Sequence, residues 1–136
     1  MTQPISYNSE FLPEITIAVV FSDNPQYDKL KPMFKEYGYG FMVPNKKLII
    51  IDGEQIINNF NTDILKFIEA HEIAHIMLNH DGPRNEEEEL DADLGAYILL
   101  KQKDKVGSIK SLIKHFKQRH GIKFDQNLLK RVKKYF

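Results

Sequence analysis

Apolar positions change their spacing along the chain, and the change separates a sheet-forming first part from a helical remainder. Residues 14–21 are apolar and β-branched, which predicts a strand. Asn24-Pro25 then opens a helix to about Tyr37, with Pro32 inside it predicting a kink or a break. Two further strand patterns, 39–43 and 46–52, flank Pro44-Asn45 and predict a tight hairpin. Residues 48–51 are continuously apolar, as expected of a strand covered on both faces.

From Ile64 onward the period becomes helical. Ile64, Phe67, Ile68, Ala74 and Leu78 form one apolar stripe, opened by Asn61-Thr62-Asp63 and closed by Asp81-Gly82-Pro83. A second helix starts at Asn85, with Asn85 and Glu88 at capping-box spacing. Two more helices are predicted, over 108–120 ending at Gly121, and over 125–135 capped by Asp125. A small sheet followed by helices is an α+β arrangement. Without repeats or linkers, the 136 residues are expected to form one domain.

The helical stripe carries chemistry. His71-Glu72-Ile73-Ala74-His75 places two imidazoles four residues apart, on one face of a helix and beside its apolar stripe. Both can offer a nitrogen to one metal ion, and Glu72, about 100° round the helix, can reach a water at that metal. The competing reading is two buried, hydrogen-bonded and inert histidines. A third ligand discriminates, because catalytic zinc usually has three protein ligands and one open position. Glu86 to Glu89 fit the first turn of the next helix as solvated, dipole-favourable acids. Glu89 stands apart because Asp93 follows four residues on, so that one can bind metal while the other hydrogen-bonds a ligand imidazole. Gly95-Ala96 then removes bulk and lets the two helices approach closely.

The two motifs together, His71-Glu72-Ile73-Ala74-His75 and Glu89-Leu90-Asp91-Ala92-Asp93-Leu94-Gly95-Ala96, resemble the HExxH…ExxAD pattern of gluzincin metallopeptidases. The second is similar to the helix of the HtpX/CAAX-prenyl-protease family. The unit with Leu78 and His80 also resembles ImmA/IrrE-type peptidases and minigluzincins, although Asp91 stands where the ImmA/IrrE pattern tends to have Glu. The likeness spans about residues 62–100. It implies a zincin-like domain with Zn2+ held by His71, His75 and Glu89, Glu72 as general base and Asp93 orienting a ligand imidazole. It further implies peptide or protein substrates, laid along a sheet edge for which the hairpin at 39–52 is the candidate. Tyr97, His115 and His120 qualify by type as donors to the oxyanion of the reaction, Tyr97 being the one named for that role and also a natural core residue. His80 is expected to cap the end of the first motif helix.

Composition narrows the remainder. The chain has no cysteine, which excludes disulfides and thiolate metal sites. Residues 15–21 are too short for a membrane span, so a cytoplasmic location is the expectation. Net charge is zero but divided: residues 101–136 hold twelve Lys/Arg against Asp104 and Asp125, and the first hundred residues carry the opposite surplus. A basic end of this kind suits nucleic acid, but solvated or body-docking helices are the favoured reading. Three functions follow in order: a zinc peptidase, a regulatory protein acting on one specific partner, and a nucleic-acid-binding module. Oligomeric state is open.

Overall fold

The computed structural model describes residues 3–43, 45–54, 62–80 and 84–136. It is an α+β fold in which a four-stranded sheet precedes three long helices. Strands β1 (Ile5–Asn8), β2 (Thr16–Val20), β3 (Gly40–Val43) and β4 (Leu48–Asp52) stand in the order β1-β2-β4-β3. β1 pairs antiparallel to β2, β2 parallel to β4, and β4 antiparallel to β3. Helix α1 (Tyr27–Tyr37) lies between β2 and β3 in the chain and continues through Pro32. Its end is tied to the sheet by the Tyr27 hydroxyl, which donates to Asp52 Oδ1 at 2.9 Å.

The apolar run at 48–51 is covered on both faces, as its composition requires. On one face Ile49 and Ile51 pack with Ile17 and Val19 against the helices; on the other Ile50 joins Val20, Phe34 and Phe41 under α1. Pro44 of the expected Pro44-Asn45 turn lies outside the described residues, but the strand pairing leaves four residues, not two, between the strands. Val43 pairs with Leu48, and both Asn45 (φ 64°) and Lys47 (φ 49°) adopt left-handed backbone in the connection.

Helices α2 (Thr62–Met77), α3 (Glu86–Gln102) and α4 (Val106–His120) form the other layer. α3 begins as its sequence predicts: the Asn85 side chain accepts from the Glu88 backbone N–H at 2.8 Å. α4 ends at Gly121 in left-handed backbone, φ 74°. Gly95 permits the close approach of α3, since a Cβ there would lie 2.9 Å from Ala74 Cβ on α2 and 2.4 Å from the Phe136 ring.

Two expectations need correction. The predicted opening at Asn61 and closing at Asp81-Gly82-Pro83 fall outside the described residues, but α2 stops earlier, at Met77. Asn79, at φ 61°, turns the chain: Asn79 N–H donates to Ile76 O and His80 N–H to His75 O at 2.9 Å, a Schellman closure. The last segment is not an α-helix but two 3-10 helices, Gln126–Arg131 and Lys133–Tyr135. Tertiary anchors override its helical pattern: Val132 is buried, and Arg131 reaches back to Asp91 at 2.8 Å and Glu87 at 3.1 Å. The basic end therefore docks, in part, on the acidic body. Among the described residues no helix is long and apolar enough to cross a membrane.

Candidate active site

The buried face of α2 brings His71, Glu72 and His75 together at the contact with α3. These three offer ligand atoms all within 4.8 Å of one another. Glu89, from the first turn of α3, comes closer to the imidazoles than Glu72 does. Its Oε2 is 3.0 Å from His71 Nε2 and its Oε1 3.1 Å from His75 Nε2, while the two Nε2 atoms are 3.1 Å apart. Glu89 Oε1 and Glu72 Oε1 are buried and make no hydrogen bond. This pocket has more acceptors than protons to share among them. Two imidazole nitrogens and a carboxylate are donors that zinc accepts, and a cation would satisfy the orphaned oxygens.

Each imidazole is held from behind. His71 Nδ1 stands 2.7 Å from Asp93 Oδ1, one helical turn past Glu89 on α3. His75 Nδ1 stands 2.9 Å from His80 Nδ1, brought there by the turn at Asn79. Leaving Nε2 free of these contacts is the arrangement a metal-ligating histidine needs.

Burial and charge divide the ionisation of the cluster. Burial favours the neutral form of Glu72 and raises its pKa to about 7, against the opposing charges of His71 and Arg84. Burial alone would lower His71, but the Asp93 charge and hydrogen bond, helped by Glu89, outweigh it and raise the pKa to about 10. His75 is lowered to about 4, chiefly by burial; the Glu89 carboxylate 3.1 Å away opposes the shift and the His71 charge adds to it. Burial would raise Glu89 and Asp93, yet their imidazole partners hold both well below the usual carboxylate range.

The cluster opens into a cleft. Its floor includes His71 and Glu72, one wall is the Tyr37–Gly40 stretch entering edge strand β3, and the other is α4 at His115 and Arg119. β3 passes directly over α2, where a Cβ on Gly40 would come within 3.4 Å of Glu72 Cγ. Of the three donors named by type, His115 lines this cleft. Tyr97 takes the core role instead: its ring packs on Phe124 at 4.8 Å and its hydroxyl accepts from Gln126 at 2.8 Å. His120 is turned inward to Asp93.

Three contributors were not assigned these places from the sequence. His80 reaches His75 rather than only capping α2. Arg84 sets its guanidinium 4.0 Å from Glu72 and 3.8 Å from Glu89. Arg119 binds Asp93. Spacing carries no signal for the last two, because each comes from a separate segment.

A helix pair thus gathers His71, Glu72, His75 and Glu89 at the base of a cleft beside a sheet edge, with His71, Glu72 and Glu89 lining it. The family model for Peptidase U49 matches residues 27–124, which include β3, β4, both motif helices and α4, and the chain belongs to that family. No curated protein and no solved structure matches it.

Proposed function

We propose that this peptidase is zinc-dependent, with His71, His75 and Glu89 holding the ion and Glu72 acting as general base in one zincin-like domain. The observation that carries the reading is the convergence of three side chains from two helices: the two Nε2 atoms stand 3.1 Å apart, and each has one oxygen of the Glu89 carboxylate at 3.0–3.1 Å. When bound, zinc polarises the scissile carbonyl and makes water a stronger acid. Glu72 faces the same space from the next position on α2. It is suited to take the proton of the attacking water and pass it to the leaving amine, and a pKa near neutrality favours both transfers. Asp93 keeps the proton of His71 on Nδ1, which leaves Nε2 as the ligand atom. A peptide would lie in extended form along the outer edge of β3, which brings its carbonyl over Glu72. His115 replaces Tyr97 as the candidate donor to the oxyanion, on the strength of its place in the cleft wall.

The test is Glu72→Gln in purified protein, with zinc content and hydrolysis of a fluorogenic peptide library measured side by side. The variant should keep one zinc per chain and lose about 10²–10⁴-fold in turnover. Undiminished turnover would remove Glu72 from the reaction, and wild-type protein free of bound zinc would remove the metal.

A further inference from the structure

We infer that Arg119 and His120, the last two residues of α4, are positioning residues for His71 and act on it through Asp93. The inference rests on the zinc reading above. Asp93 is fully buried, yet its carboxylate is gripped from two helices at once. On one side His71 Nδ1 meets Oδ1 at 2.7 Å. On the other, Arg119 Nε donates to Oδ2 at 2.8 Å, His120 Nε2 meets the same oxygen at 2.5 Å, and Arg119 also reaches Oδ1 at 3.4 Å. The ligand helix thus supplies one partner and α4 supplies the others.

The geometry explains why the grip matters. A carboxylate held by a single imidazole is free to turn about its terminal torsion, which is broad and soft. The ring hydrogen-bonded to it then turns as well. Fixing both oxygens sets the carboxylate plane, and with it the aim of His71 Nε2 toward Glu89 and His75. The guanidinium also balances a negative charge that would be costly to bury alone.

Both α4 residues are themselves held. The Arg119 guanidinium lies over the Phe67 ring at 5.4 Å, and Phe67 packs edge-on against His71. His120 packs at a tilt on the ring of Phe116, which is fully buried, with centroids 4.7 Å apart. Gly121 ends the helix immediately afterwards, so both side chains project from its final turn. The chain from Phe67 through Arg119, Asp93 and His71 closes a ring of contacts around the ligand.

The experiment measures zinc affinity by competition with a chromophoric chelator, and the visible spectrum of the cobalt(II)-substituted protein. Arg119→Met keeps the aliphatic stem and removes the donors; His120→Phe keeps the ring and removes the nitrogen. Each should weaken zinc binding about 10- to 100-fold and alter the cobalt spectrum. Arg119→Lys and His120→Gln, which retain an N–H donor, should recover most of the affinity. In an Asp93→Asn background the two disruptive substitutions should add less than about twofold, because their route to His71 is already cut. Folded Arg119→Met that binds zinc like the wild type overturns the inference, as does a loss that persists undiminished beside Asp93→Asn. If His120→Phe does not fold, Arg119→Met decides, since its side chain is 35% exposed and tolerates exchange. Wild-type protein that binds no zinc overturns the site reading and this inference together, an outcome distinct from a zinc-loaded protein indifferent to residues 119 and 120.

Discussion

His80 Nδ1 stands 2.9 Å from His75 Nδ1, so one of the two nitrogens must carry the proton between them. If His75 binds metal through Nε2, its Nδ1 is the donor and His80 the acceptor, with the His80 proton on its other nitrogen. His80→Ala should therefore lower zinc affinity about tenfold while leaving the fold intact. Chelator competition checks this, and an affinity equal to wild type would reduce His80 to an end-of-helix residue.

Zinc loading should release protons. In the metal-free protein the Asp93 and Glu89 contacts outweigh burial and hold His71 charged up to about pH 10, whereas His75 is neutral above about pH 4. A ligand nitrogen must be deprotonated, so near neutral pH about one proton leaves from His71. Affinity should then rise by about tenfold per pH unit towards pH 10. The sign for stability is the reverse. A folded pKa above the unfolded value stabilises fully below about pH 6.5, and this contribution of His71 fades as pH approaches 10. Titration calorimetry in buffers of different ionisation enthalpy measures the release; a binding heat independent of buffer would contradict it.

Gly95→Ala should destabilise the protein although alanine is the better helix former. Removing glycine from a helix interior gains about 1 kcal/mol. Against this, the new methyl would meet Ala74 Cβ at 2.9 Å and the Phe136 ring at 2.4 Å. The ring can move aside, but the Ala74 methyl is fixed to the α2 backbone, and overpacking of this kind costs about 1–3 kcal/mol. A net loss of up to about 2 kcal/mol lowers the thermal midpoint by a few degrees, readable by circular dichroism. An unchanged or higher midpoint would show that α2 and α3 yield freely.

What the sequence reveals of this molecule follows from the range of each signal. Four-residue spacing on one helix face made the meeting of His71 and His75 legible, and the Glu89–Asp93 interval brought the second helix into the same picture. Asn85 and Gly121 marked helix ends through local backbone chemistry, and the structure has both. β1 escaped notice because it is short, largely exposed and ordered by pairing with β2 rather than by its own pattern. Arg119 read only as part of a basic end and His120 as an oxyanion donor by type, since nothing local ties them to an aspartate 26 and 27 residues earlier. Tyr97 faces Phe124 and Gln126, a matter of helix rotation that its distance along the chain leaves undetermined. The 3-10 form of the C-terminus depends on anchors outside the segment, Asp91 and Glu87 among them.

Glu69 lies two positions before His71 with its carboxylate wholly inside the protein, where it receives the Tyr7 hydroxyl at 2.7 Å, the Ser9 hydroxyl at 2.9 Å and the Glu10 backbone N–H at 3.1 Å. Helix α2 is thereby bolted to the outermost strand on the far margin of the sheet from the cleft. Slackening of that strand would be felt at the imidazoles within a single turn. Tyr7, Ser9 and Glu10 thus behave as a tensioning strap for the histidine cluster, although none of the three lines its cleft.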